Sequence, residues 1–477
     1  MTIDVHSGAY RCCDGINRRS FLRSGAVMLG GLSLAGLLRQ KAMAAAAGAK
    51  AAGKDMSVIL FWQGGGPSQL DMWDMKPDAP SEFRGSFNPI STNLDGLQVC
   101  EHMPRIAKIC DKLTVIRSVT HGDAGHESAS HTLLTGYKPT NDIPANEAPA
   151  YGSIVAKEMG PRTDGFPADV TVPTAPKSSA AAYLGVAYNP FETQGDPNTE
   201  NFSVQNLKIP GGLTLDRLQN RRDILSHFDT LRRDIDSSGT ISGMDTFAQQ
   251  AYEIVTSPKV QAAFDISKED AKTRDLYGRT TRGQNTLLAR RLIEAGVRFV
   301  TLNVGGWDTH ANNFESLKNT KLPQFDAAFA ALIEDLDRRG QLDNTLVLSW
   351  GEFGRMPRIN KDAGRDHWPD VFSVPMAGGG LKRGIVIGES DVRAEFPKER
   401  PVSPQDVLST MYHQLGINQT KEYINEADRP VAVLNYGEPI KEVISYYSGN
   451  KTGGNSARHL RRSPCYPFVC RINSVAE

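Results

Sequence analysis

The sequence predicts an α/β protein, with helices on both faces of a mainly parallel sheet, on three observations. Short apolar runs rich in β-branched residues recur along the chain, stretches with helical apolar spacing lie between them, and each run ends in Gly, His or Asn. In such folds functional groups gather at the carboxyl ends of the strands.

The runs at 58–62, 114–119, 297–304 and 345–350 are apolar, rich in β-branched residues and short enough to be buried strands. Between the last two, Phe325, Ala328, Phe329, Leu332, Ile333 and Leu336 are spaced by threes and fours, which puts them on one helical face that Gly340 closes. Residues 286–295 repeat the pattern and stop at Gly296, and Ser403-Pro404-Gln405-Asp406 has the form of a capping box opening another helix. Regularity lapses over 141–282, which reads as an insertion or cap within a domain spanning 55–447. Residues 448–477, with Arg458, Arg461 and Arg462 after a Gly/Asn stretch, read as a flexible basic tail.

The N-terminus has the three parts of a signal peptide over 1–44: Arg18-Arg19-Ser20-Phe21-Leu22-Arg23, a mild apolar run over 25–38, and Ala42-Met43-Ala44 as a small-residue cleavage pattern. The arginine pair followed by Phe-Leu is of the twin-arginine type. Export by the twin-arginine machinery to the periplasm or beyond is therefore expected. The run is shorter than the ~18–20 residues a bilayer span needs, so no membrane span is expected in the mature chain.

The first 44 residues carry six Lys or Arg and two Asp or Glu, which leaves 48 basic against 52 acidic side chains. That balance lacks the basic footprint of a nucleic-acid partner. Cys100, Cys110, Cys465 and Cys470 follow the signal, and an oxidising compartment permits two disulfides in any of three pairings.

Polar clusters follow each strand. Gln63-Gly64-Gly65-Gly66-Pro67-Ser68-Gln69-Leu70-Asp71, with Asp74 beyond, is a glycine-rich turn that admits close backbone approach. His121, His126 and His131 fall within eleven residues of a chain with ten histidines, a density that suits metal binding, proton transfer or anion binding. Trp307-Asp308-Thr309-His310 sets a carboxylate and an imidazole where both can face one ion. Gly351-Glu352-Phe353-Gly354-Arg355 and Gly364-Arg365-Asp366-His367 add carboxylates, arginines and a histidine; Arg355 or Arg365 suits a tetrahedral oxyanion, or an ion pair bracing the loop.

Together, Gly64-Gly65-Gly66-Pro67-Ser68 with Leu70-Asp71, Trp307-Asp308-Thr309-His310, Gly351-Glu352-Phe353-Gly354-Arg355 and Asp366-His367 resemble the secreted bacterial family called domain of unknown function (DUF) 1501. That family is grouped with the alkaline phosphatase and sulfatase superfamily. The resemblance implies a three-layer α/β/α sandwich and metal-dependent hydrolysis of phosphate or sulfate esters. It also implies a divalent metal ion, with zinc, calcium and manganese not distinguished, and a small anionic ester or polysaccharide as substrate. By motif, Asp308, His310 and His367 match one metal site, Glu352 takes an aspartate's place in the other, and Arg355 faces the anion.

The sequence departs from the superfamily at Gln63, where a metal-binding Asp is the pattern, and at Glu352-Phe353, where Asp-His is. Leu133-Leu134-Thr135-Gly136 resembles the end of the sulfatase signature, and its modified residue aligns with His126, which cannot become formylglycine. Ser128 or Ser130 is then the candidate nucleophile, with His126 or His131 as base. These departures also suit a non-catalytic envelope protein that binds a ligand on the same fold.

Overall fold

The computed structural model describes residues 55–140, 146–204, 254 and 256–445. Its centre is an eight-stranded sheet of β1 (Ser57–Trp62), β2 (Leu113–Val119), β3 (Asp169–Val172), β4 (Phe191–Glu192), β5 (Phe299–Asn303), β6 (Thr345–Trp350), β7 (Phe372–Gly378) and β8 (Ile385–Ile387). The order across the sheet is β8-β2-β7-β6-β1-β5-β3-β4. Only β7 runs against its neighbours, β2 and β6; every other pair is parallel.

The alternation of side chains along β1 shows why two layers of helix are needed. Ile59 and Phe61 enter one apolar cluster, while Val58, Leu60 and Trp62 enter the other. Five helices carry most of the two covers: α1 (His126–Thr135), α2 (Tyr151–Met159), α3 (Thr281–Ala295), α4 (Leu322–Arg338) and α5 (Pro404–Leu415). Leu287, Leu288 and Leu292 of α3 and Phe325, Phe329, Leu332 and Leu336 of α4 fill the first cluster. Leu133 and Leu134 of α1, Ile154 and Val155 of α2, and Val407, Leu408 and Met411 of α5 fill the second. The fold is therefore a three-layer α/β/α sandwich with a mainly parallel sheet. Ser403 and Asp406 form both arms of the capping box that starts α5.

Two expectations change. The stretch 141–282 is no single insertion, because β3 pairs in register with β5, and β4 with β3, inside the main sheet. Asp-Val-Thr-Val is too short a run to stand out among the prolines and asparagines around it. Cys100 and Cys110 are free and buried, each in the apolar cluster that packs against α3 and α4. The signal segment 1–44, the tail 448–477 and Cys465 and Cys470 lie outside the described residues.

Candidate metal centre

The parallel strands deliver their carboxyl ends to one edge of the sheet. The turn at 63–66 leaves β1, the loop before His126 leaves β2, Val304–His310 leaves β5, and 351–355 leaves β6. A short ribbon then pairs His367 with Arg355 and Trp368 with Gly354, which carries His367 to the same place.

Gly65 and Gly66 allow these segments to close up. Gly65 has φ +106°, and a β-carbon there would lie 2.3 Å from the Asp308 backbone nitrogen. Gly66 has φ +78°, and a β-carbon would lie 2.6 Å from the Phe353 ring. Gly65 N–H donates to Glu352 Oε1 at 2.8 Å, tying the turn after β1 to the loop after β6.

Asp308, His310 and His367 meet at the centre. Asp308 Oδ1 is 3.0 Å from His310 Nε2 and 3.1 Å from His367 Nε2, and the two Nε2 atoms are 2.9 Å apart. His126 Nε2 approaches the other oxygen, Asp308 Oδ2, at 3.3 Å. One ligand atom each of His126, Asp308 and His367 lies within 4.8 Å of the other two.

Each imidazole is held from behind by an oxygen. His310 Nδ1 is 2.6 Å from Asp366 Oδ1, His126 Nδ1 is 2.7 Å from Glu352 Oε1, and His367 Nδ1 is 2.8 Å from the Ala124 carbonyl. Carboxylates and carbonyls only accept, so each Nδ1 carries the proton and donates it. In the neutral rings all three Nε2 lone pairs then point at Asp308 with no proton between them. That gathering of acceptors is repulsive unless a cation shares it, and backing oxygens of this kind orient metal-binding histidines. The donor set thus fits a divalent ion.

The electrostatics divide: an ionised Asp308 and a lowered His367 suit a cation, whereas a raised His126 favours a proton on that ring. Burial pushes the Asp308 carboxyl upward, but the Arg355 guanidinium beside it wins and holds it at about 2. The His310 hydrogen bond lowers Asp366, the Glu352 hydrogen bond raises His126, and burial lowers His367.

Several residues have roles other than those expected. Arg355 is fully buried, and its guanidinium donates to Gly66 O at 3.0 Å, to Arg365 O at 3.0 Å, and to Gly65 O and Asp308. Fully buried, with four of its five N–H donors holding the Asp308 loop and its neighbours, it is a positioning residue and not an anion receptor. Arg365 is likewise buried, with Nε and Nη2 on the two oxygens of Asp71 at 2.8 and 2.9 Å. Asp74 is buried beside Lys76 and Arg117.

Glu352 does not join the cluster around Asp308 directly. It is 2% exposed and serves His126 and Gly65 through Oε1, while its buried Oε2 has no hydrogen-bond partner. Ser128 donates to Asp123 Oδ1 at 2.7 Å, a bond that holds its hydroxyl to the loop before α1. Ser130 is buried within α1. His131 is engaged at both nitrogens, by Tyr137 O at 2.8 Å and by the Glu147 N–H at 3.1 Å, and serves as a brace.

Where the superfamily pattern has further metal ligands, this chain has packing groups. The Gln63 carboxamide oxygen accepts from Ser349 at 3.0 Å, and the Phe353 ring stacks on His367 with centroids 4.4 Å apart. Asp366, which the motifs included without a role, backs His310 in the structure.

Residues 55–444 match the family model described as protein of unknown function (DUF1501). No curated protein matches the chain. Among solved structures, similarity extends to the lipoteichoic acid synthase LtaP from Listeria monocytogenes, at 12% identity and TM-score 0.35 over 82% of this chain and 77% of that one. It extends also to the PsFucS1 sulfatase from Pseudoalteromonas sp., at 12% identity and TM-score 0.33 over 80% and 70%. A third is the phosphonate monoester hydrolase of Agrobacterium radiobacter, at 11% identity and TM-score 0.30 over 82% and 77%. With the match covering most of its length, the chain belongs to the DUF1501 family.

Proposed function

We propose that this protein is an exported, metal-dependent hydrolase of phosphate or sulfate esters that works with one divalent ion. The observation that carries the metal is the convergence of three imidazole Nε2 atoms on Asp308, each with its Nδ1 tied to an oxygen. The ester chemistry rests on the motif resemblance, and export by the twin-arginine route rests on the N-terminal signal. No helix among the described residues is long and apolar enough to cross a membrane.

Asp308, His310 and His367 would hold the ion, and the imidazole-rich set suits zinc better than calcium or manganese. Gln63 and Phe353 leave no ligand set for a second ion at the usual place. When bound, the ion supplies Lewis acidity that polarises an ester oxygen and acidifies water. His126 would act as the general base: Glu352 holds its Nδ1 proton and would stabilise the imidazolium, and its Nε2, 3.3 Å from Asp308 Oδ2, would turn from that oxygen to take a proton from the attacking water. Asp366 and Ala124 O keep the other two rings in their binding tautomers, and Arg355 keeps Asp308 ionised and in place.

Elemental analysis of the mature protein from its native compartment, beside Asp308→Ala and His367→Ala, tests this reading. One stoichiometric metal lost in both variants, with hydrolysis of aryl phosphate or sulfate esters lost alongside, is expected. The packing of Gln63 and Phe353 also favours a second reading, a non-catalytic envelope protein on the same fold. A well-folded, metal-free wild type with no esterase activity would select it.

A further inference from the structure

Two cations beside the segment that leads into Asp308 have no acidic partner among the described residues. Arg282 lies in the first turn of α3, with its guanidinium carbon 5.2 Å from the centre of the Trp307 ring. It donates through Nη1 to the Lys321 carbonyl at 2.9 Å, and its Nε is buried without any partner. Lys321 immediately precedes α4, and its Nζ would be 3.3 Å from a β-carbon on Gly306. The two thus flank the segment that leads into Asp308, where Gly305 and Gly306 are exposed.

This arrangement works against stability in three ways. Both side chains are partly withdrawn from water, which lowers the pKa of each; Arg282 falls to about 10, and Arg282 further depresses Lys321. No carboxylate among the described residues is close enough to offset either one. Arg282 also stands in the first turn of α3, where the backbone dipole disfavours positive charge and no acidic residue offsets it. Local rules broken without compensation are the mark of a functional position. Arg355 and Arg365, the arginines that the motifs single out, are both buried, which leaves Arg282 and Lys321 to face an anion.

We propose that Arg282 and Lys321 form an anion subsite at the rim of the metal centre, which receives a second phosphate, sulfate or carboxylate on the uncleaved part of a polyanionic ester. As a statement about substrate class it rests on the hydrolase reading; as a binding site it does not. The subsite selects esters carrying at least two anionic groups, through the unspent Nη2 of Arg282 and Nζ of Lys321.

The test uses the full chain as purified and again after chelation, titrated calorimetrically with inorganic phosphate and sulfate. Chelated wild type binds the anion, and Lys321→Met and Arg282→Gln each weaken binding roughly tenfold or more, the weight of one charge-assisted contact. In the metal-loaded protein the same variants raise KM for a dianionic ester and leave that for a monoanionic ester unchanged. Anion titrations identical in wild type and Lys321→Met, or no binding by chelated wild type, would overturn the subsite even if esters are hydrolysed. Anion binding lost in the variants, together with no hydrolysis of any ester, would leave the subsite standing and remove the hydrolase reading.

Discussion

Replacing Asp366 by Asn should weaken metal binding while leaving the fold intact. Asp366 is not among the proposed ligands; its Oδ1 sits 2.6 Å from His310 Nδ1 and keeps the proton there. An asparagine keeps the shape and loses the charge, and its amide can turn its NH2 toward His310. The ring would then carry its proton on Nε2, where the metal lone pair is needed. Loss of such a backing carboxylate typically costs about 10–100-fold in metal affinity, or roughly 1.4–2.7 kcal/mol. The side chain is 44% exposed, so water screens part of the lost charge and the lower half of that range is expected. The same exposure keeps the cost to folding small. Competition against a chromophoric chelator at fixed pH measures the affinity, with thermal unfolding as the control. Affinity within twofold of wild type, with stoichiometric metal, would show that His310 is not held for metal binding by Asp366.

Other consequences follow from single contacts. Gly65→Ala should abolish stoichiometric metal binding, since its β-carbon meets the Asp308 nitrogen at a positive φ; Gly305→Ala, whose nearest neighbour would be 4.0 Å away, should bind metal normally. Elemental analysis of both proteins decides it. Asp169 is 5% exposed, and burial raises its carboxyl to about 8 from an ordinary value near 4. The folded state then holds a proton that the unfolded chain releases, so its stabilising effect is complete below about pH 4 and is lost as pH rises to about 8. The slope is at most about 1.4 kcal/mol per pH unit. Urea midpoints of Asp169→Asn should be flatter than wild type across that window, and parallel curves would refute the assignment. Burial also pushes the Cys100 and Cys110 thiols up to about 12, so neither should react with iodoacetamide until the protein is denatured. Detection of a Cys100–Cys110 disulfide by mass would contradict the structure.

The four strands visible in the sequence are those with runs rich in β-branched residues, and their carboxyl ends are where the candidate site lies. β7 was hidden because Phe372–Gly378 carries Pro375 at its centre and ends in glycines, residues that ordinarily argue against an interior strand. β3, β4 and β8 have two to four residues each, too few for periodicity to register. Asp308, His310 and His367 could be picked out because two of them share one turn and all belong to compact polar motifs. The backing of His310 by Asp366 spans 56 residues, and that of His126 by Glu352 spans 226, so neither leaves a local trace. Sequence also could not tell that Arg355 and Arg365 are interior. A guanidinium that pairs with substrate and one that pairs with backbone carbonyls read alike until burial is known.

The residues around Asp308 are drawn from turns that are neighbours only after the sheet has assembled, with Gly65 and His367 some three hundred positions apart. An ion therefore has no preformed nest in the unfolded chain and cannot seed the fold in the way it does for a zinc finger. The layers are secured by two apolar clusters and by the buried Arg365–Asp71 and Arg355 anchors, none of which requires the ion. The scaffold is thus a finished receptacle before loading. An ion bound there would be chosen by the compartment in which folding ends, and could later exchange without dismantling the protein.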